Sequence, residues 1–289
     1  MVVTNSLGES LDALRRNPIL IVLSVVFGLL QLPSVAAQSL GPMLSAVVSL
    51  GFSALLVLIV PFVFGGMVGM AREALDGETD LGTFVESGKA NYLRLLGAYV
   101  LFLVVITVLS FGSSIVAGIA AVFVGVSAAS GAGGGAAAGA GVLIALLTVG
   151  IVLLVTLLPT FFVQFFAHAI VLDDAGVVGG FTRSAGLVRR NVLTVFGYFL
   201  VVLVVGLVGG ALGGVGSLLT LPSETAGTMG LPSLSIGTGL AIQAVGTLVV
   251  GLLSSVFWPF SVSVYTAIRD RTVDHGGPEP SSHAAGSAD

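Results

Sequence analysis

Three stretches of this chain, residues 17–71, 95–172 and 191–268, contain almost no side chain that can carry charge near neutral pH; only His168 and Glu224 interrupt them. They run 55, 78 and 78 residues. One membrane crossing takes about 20 apolar residues to span a hydrocarbon layer of ~30 Å, so each stretch holds two crossings. A soluble core has no use for so much continuous apolar chain. The pattern specifies an all-α, polytopic membrane protein with six transmembrane helices.

The spans fall at about 18–38, 43–71, 95–126, 142–172, 192–220 and 237–268, by the length rule. They form a single membrane domain over residues 1–273. A tail at 274–289, rich in Pro, Gly, Ser and Ala, is expected to be disordered. Most spans exceed about 28 residues, or ~43 Å at the helical rise, so they must tilt, kink or project beyond the hydrocarbon. The connectors at 38–42, 127–141 and 221–236 carry no Lys or Arg, whereas the other two connectors and both termini carry all ten. Basic residues concentrate in cytoplasmic loops. The expected setting is a multi-pass protein of the plasma membrane with both termini cytoplasmic. Within the second uncharged connector, SGAGGGAAAGAG at 130–141 is low-complexity and reads as an outer loop; no Gly-Lys-Ser/Thr comes after it to make a phosphate cradle.

Composition narrows the chemistry. The absence of Cys removes disulfides, thiolate metal sites and cysteine nucleophiles together. Ten basic residues against 14 acids leave no cationic surplus for nucleic-acid phosphates. No cofactor is implied, and the one partner that the sequence names is the lipid bilayer. Arg15-Arg16 ahead of an apolar run has the look of a twin-arginine leader, but Pro18-Ile19-Leu20 departs from the usual continuation, and the residues upstream recur later in the chain.

That recurrence is the second informative feature. LRRN at 14–17, GKAN at 88–91 and VRRN at 188–191 each place an Asn where a span begins. Upstream, apolar residues are spaced at i, i+4 and i+7: Leu7, Leu11 and Leu14; Leu81 and Val85, with Gly88 breaking the last place; Phe181, Ala185 and Val188. That spacing is one face of a helix. Ser6 with Glu9 and Thr83 with Glu86 match capping-box spacing. Residues 6–15, 81–89 and 178–189 are therefore expected as three cytoplasmic interfacial helices, their basic residues Arg15, Arg16, Lys89, Arg94, Arg189 and Arg190 meeting head groups. The returning spans share Pro61, Pro159 and Pro259, each ten residues before Ala71, Ala169 and Arg269 at the expected cytoplasmic end. The unit of interfacial helix, outward span and Pro-bearing return span thus reads as a triplication.

Candidate chemistry is sparse. Glu73, Asp76, Glu78 and Asp80, and the pair Asp173-Asp174, have carboxylates that suit Mg²⁺, but no His or Ser stands beside them in sequence to complete a mechanism, and a turn-and-cap role is the better reading. Thr160, Gln164 and His168 lie at i, i+4 and i+8 after Pro159 and form a candidate polar groove wall, with Lys89, Arg94, Arg189 or Arg190 at its mouth. Interhelical hydrogen bonding is the plainer role for such residues. Gly65 and Gly69, Gly206, Gly210 and Gly214, and Gly209 with Gly213 place small residues four apart, as close helix packing requires.

The motifs SLDALRRNPIL (10–20), residues 95–100, VLDDAGVVGGFTRSAGLVRRNVLTVFG (171–197) and PFSVSVYTAIR (259–269) resemble a group of six-helix membrane proteins common in haloarchaea. Its relatives look like the membrane domain of glycerophosphoryl diester phosphodiesterase and the YciC-like bacterial inner-membrane proteins. The Lys-poor, acidic composition also resembles halophilic proteins. The resemblance implies a membrane architecture and brings no catalytic residue, since the phosphodiesterase activity of those relatives belongs to a separate soluble domain. The expected role is non-enzymatic: structural, lipid-interacting or accessory. The alternative is a facilitator for a small neutral or lipid-like molecule.

Overall fold

The computed structural model describes residues 2–30, 42–129, 135–219 and 236–274, and among these every regular element is an α-helix. In chain order they are α1 (Val2–Arg16), α2 (Ile19–Leu29), α3 (Pro42–Asp76), α4 (Leu81–Ala129), α5 (Gly135–Val163), α6 (Phe166–Leu172), α7 (Val177–Arg190), α8 (Val192–Leu219) and α9 (Ile236–Asp274). Five stretches are long and apolar enough to cross a membrane: Met43–Asp76, Leu81–Val122, Gly141–Leu172, Val192–Ala211 and Ala244–Thr272. Together they make a multi-pass membrane protein. Of the span expected at 18–38, the described part is the shorter apolar helix Ile19–Leu29, and the remainder lies outside the described residues.

Local chemistry sets the helix ends. Pro18 offers no amide hydrogen and disfavours helical geometry in the residue before it, so α1 closes at Arg16 and α2 opens at Ile19. Asp80 caps α4, its Oδ1 accepting the Thr83 amide at 3.0 Å. This displaces the expected Thr83/Glu86 box, because the helix starts two residues before Thr83. Ser6 is likewise interior to α1 and caps nothing; its carbonyl accepts the Ser10 hydroxyl. The low-complexity connector is shorter than expected, since residues 135–141 are the first turns of α5, where alanines favour helix. The connectors at 38–42 and 221–236 fall almost wholly outside the described residues, as do residues 275–289.

The three expected interfacial segments are all helical, with one correction. Residues 6–15 and 178–189 belong to separate helices, α1 and α7, whereas residues 81–89 run without a break into the 49-residue α4. Pro18 comes after Asn17, but Tyr92 comes after Asn91, and nothing there withholds an amide from the helical ladder.

Two compact units divide these helices. In one, α9 packs against α1, α2 and α8. The α2–α9 crossing is close: a Cβ on Gly251 would lie 3.0 Å from Val25 Cα, and one on Gly28 3.3 Å from Thr247 Cγ2. Small side chains four apart, Ser24 and Gly28 against Thr247, Gly251 and Ser255, permit it. Of the two stripes expected on α8, one meets α9, since a Cβ on Gly209 would lie 3.5 Å from Val250, while among the described residues nothing lies within 4 Å of a Cβ placed on Gly206, Gly210 or Gly214. The face of α8 that meets α9 carries Tyr198, whose ring packs on Phe257 and Phe260 at 6.4 and 5.3 Å.

In the other unit, Leu95, Ala98, Ala167 and Ile170 form a buried cluster flanked by Phe64, Phe166, Val171, Val177 and Phe181. Phe166 stacks on Phe181 at 4.9 Å and on Phe102 at 5.9 Å. Gly88 fits against Phe62, where a Cβ would come within 3.0 Å of the carbonyl oxygen. Ser87 Oγ donates to Gly65 O at 2.8 Å. Here the expected role of Gly65 holds.

Pro61, Pro159 and Pro259 all lie inside helices. α3 and α9 continue past theirs, but α5 stops at Val163 and α6 resumes at Phe166. Ser184 fills that interruption. Its hydroxyl accepts the Phe165 amide at 3.1 Å and donates to Phe162 O at 2.9 Å, a side chain inserted into a helical ladder.

Candidate membrane-interface site

Asn17, Asn91 and Asn191 each fold the side-chain amide back on the helical turn before them. Nδ2 of Asn17, Asn91 and Asn191 donates to the carbonyl four residues earlier, on Ala13, Ser87 and Leu187, at 3.0, 3.1 and 3.1 Å. Each is also tied to the segment that ends the next return helix. Asn17 Nδ2 donates to Gly77 O at 3.0 Å, and its Oδ1 accepts the Thr79 amide at 2.8 Å. Asn91 Oδ1 accepts from Arg94 at 3.3 Å, while Arg94 donates to Asp174 O at 3.1 Å and forms an ion pair with its carboxylate. Asn191 Nδ2 donates to Thr272 Oγ1 at 3.3 Å. Asp174 adopts a left-handed φ of 54°, a conformation to which Asp adapts better than most residues, and this turn presents its carbonyl to Arg94.

α1 and α7 dock through small residues. α1 buries Ser6, Ser10, Ala13 and Leu14; α7 buries Gly180, Ser184, Leu187 and Val188, at the same offsets from Asn191 that the first set has from Asn17. This face sits one position before the apolar row read from the sequence. Of that row, Leu11, Leu81 and Val85 are exposed, as is Val178. The signal was present, since Ser, Gly and Ala recur at these offsets, but a search for large apolar residues passes over them. Glu9, on the inner side of α1, accepts a 2.6 Å hydrogen bond from Ser263 on α9.

The basic residues differ in their surroundings. Arg15 pairs with Asp12 at 3.5 Å and Arg16 Nε donates to Asp12 O at 3.4 Å. Lys89 is exposed. Arg94 is held in the turn at Asp174. Arg189 and Arg190 are exposed at the end of α7, a helix with no acidic residue. Its remaining arginine, Arg183, pairs with the buried carboxylate of Asp173 at 3.2 Å.

The Thr160, Gln164 and His168 positions do not share one continuous helix. Thr160 lies in α5, Gln164 in the interruption and His168 in α6. Thr160 Oγ1 donates to Thr156 O and Leu157 O at 3.2 and 2.8 Å, and Gln164 Nε2 donates to Phe161 O at 3.0 Å. His168 is buried, its ring edge-on to Phe165 at 5.6 Å. The first two thus bond to carbonyls of their own segment. The acidic cluster is engaged locally as well: Glu73 accepts from Thr79 Oγ1 at 2.7 Å, Asp76 pairs with Arg72 at 3.2 Å, and Asp80 is the α4 cap.

α1 and α7 each have two faces, one of buried small residues and one of exposed side chains that include apolar and basic ones. No curated protein and no solved structure matches the chain, and the resemblance to the phosphodiesterase membrane domain rests on its sequence motifs alone. Residues 1–268 do match one family model, a domain of unknown function, and over that length the chain belongs to the DUF7847 family.

Proposed function

We propose that the protein is a six-span component of the plasma membrane with cytoplasmic termini, non-enzymatic in role, which organises or contacts lipid at the cytoplasmic interface through a triplicated hairpin unit. The observation that carries this reading is the build of α1 and α7. Both end in Arg-Arg, both dock by their small-residue face, and both leave large apolar side chains such as Leu11 and Val178 uncovered. Basic residues beside exposed apolar ones are what a helix lying among head groups presents. The five long apolar helices, the apolar α2 and the confinement of Lys and Arg to alternate connectors support six crossings. The asparagine ties, repeated at the base of each hairpin, support the triplication.

Reconstitution into liposomes tests the reading against transport. Vesicles containing the purified full chain should admit glycerol and urea no faster than empty vesicles, while protease should cut α1 and α7 more slowly than in detergent. Solute entry well above that of empty vesicles would replace this reading with a facilitator.

A further inference from the structure

We infer that Ser184 is the latch of a two-state hinge between α5 and α6: seated, its hydroxyl holds them as two helices; withdrawn, it lets them close into one. In an unbroken helix the Phe165 amide donates to Phe161 O, four residues back. Here that amide goes to Ser184 Oγ at 3.1 Å, and Phe161 O accepts Gln164 Nε2 at 3.0 Å. Ser184 Oγ also donates to Phe162 O at 2.9 Å. Taking the amide is what opens the helix. A carbonyl has two lone pairs and can accept a hydroxyl while keeping its helical donor, but an amide has one hydrogen to give. Ser87 only donates, to Gly65 O, and α3 runs through that point unbroken to Asp76. Ser184 both donates and accepts, and α5 ends at Val163. Closing the helix would return the Phe165 amide to Phe161 O and free the hydroxyl. Ser10, seven residues before Asn17 as Ser184 is before Asn191, shows where such a hydroxyl goes: it donates to Ser6 O in its own helix. Both states thus give each group a partner.

The two sides of the break are held differently. α6 is fixed to α7: a Cβ on Gly180 would stand 3.0 Å from Phe166 O, and Phe181 stacks on Phe166 at 4.9 Å. Ser184 is fully buried beside them. α5 is held loosely, for none of residues 141–164 is buried. A hinge is a few residues at the end of an element that absorb the backbone change while the packed body next to them stays rigid. Val163, Gln164 and Phe165 stand in that position. Because α7 carries the latch, displacement of α7 reaches α5 as a change of bend. The hinge therefore adds to the lipid contact proposed for α7 a coupling to a span, and it stands whether or not α7 touches lipid.

The chain has no Cys, so paired cysteines carrying nitroxide labels report single distances by pulsed electron paramagnetic resonance of the full chain in lipid nanodiscs. Leu146→Cys on α5 is paired with Val178→Cys on α7 and, separately, with Leu93→Cys on α4; all three positions are exposed. Leu146 lies about 26 Å beyond the break at the helical rise, so a change in bend of about 20°, a sharp kink, moves it about 9 Å. Ser184→Ala should displace the distance, or add a second one, in at least one of the two pairs. Ser10→Ala, whose hydroxyl bonds within α1, should leave both pairs unchanged. Distances identical in wild type and Ser184→Ala would overturn the hinge, and so would an equal change in Ser10→Ala, which traces it to general loosening. Should Ser184→Ala not fold, Gln164→Leu decides: it clears Phe161 O for the Phe165 amide and should displace the same distances, and unchanged distances overturn the hinge. Either failure leaves the liposome result on lipid contact and solute exclusion untouched.

Discussion

Asn17 uses both of its polar groups in a position that is 3% exposed: Nδ2 reaches two carbonyls and Oδ1 one amide. Asparagine is the smallest side chain that can donate twice and accept as well, and a buried amide left without a partner costs about 1–3 kcal/mol. Asn17→Ala strands the Thr79 amide and the Gly77 carbonyl together and should destabilise the protein by about 1–3 kcal/mol, read as a lower midpoint of thermal unfolding in detergent. Asn17→Asp keeps the acceptor for Thr79 and should fall between the two. Asn191→Ala, at a half-buried site with its interhelical bond at 3.3 Å, should cost less than Asn17→Ala. Equal melting of wild type and Asn17→Ala would show that the tie contributes nothing to stability.

Between elements, the question is where helices touch closely enough for a methyl group to matter. At Gly88 a Cβ would stand 2.9 Å from the Phe62 ring and 3.0 Å from its carbonyl oxygen, so Gly88→Ala must push α4 away from α3. Overpacking of that kind costs about 1–3 kcal/mol. Among the described residues a Cβ on Gly206 or Gly210 meets nothing within 4 Å, so Gly206→Ala and Gly210→Ala should be neutral, or gain up to about 1 kcal/mol from helix propensity. Melting curves of the three variants in one detergent give the contrast; destabilisation by Gly206→Ala equal to that by Gly88→Ala would contradict it. The two sites also mark what could be read from sequence. Some apolar helix bounds were legible from apolar run length, as with residues 192–220 against the observed Val192–Leu219, but not where a polar segment joins the helix, as with 95–126 against Leu81–Ala129. The spacing of small residues was visible too, but which glycines meet a partner depends on how helices cross, and Gly251 against Val25 was not foreseen. The asparagines stood out as anchors of the repeat, while their partners lie 60 and 81 residues away for Asn17 and Asn191. Only the folded chain brings those together.

For the whole molecule, the distribution of charge gives a prediction that reaches beyond the described residues. In the proposed six-span arrangement all ten Lys and Arg lie in the two termini and in the connectors after the second and fourth spans, and none lies in the three connectors between. Retention of basic residues on the cytoplasmic side sets orientation, and ten out of ten on one side of a six-span arrangement leaves no internal conflict. The five long helices alone would put the termini on opposite sides, so the position of the C-terminus relative to the N-terminus tests whether α2 belongs to a sixth crossing. Reporters fused after Asp76, Asp174 and Asp289 should therefore be active in the cytoplasm, and those after Ser130 and Glu224 outside. Dual reporters that are active only inside, or only outside, give a positive signal at every position. A cytoplasmic signal at Glu224 would show that α8 and α9 do not form a crossing pair. An external signal at Asp76 with an internal one at Ser130 would mean that the chain enters with α3 and that α2 stays on one side of the membrane.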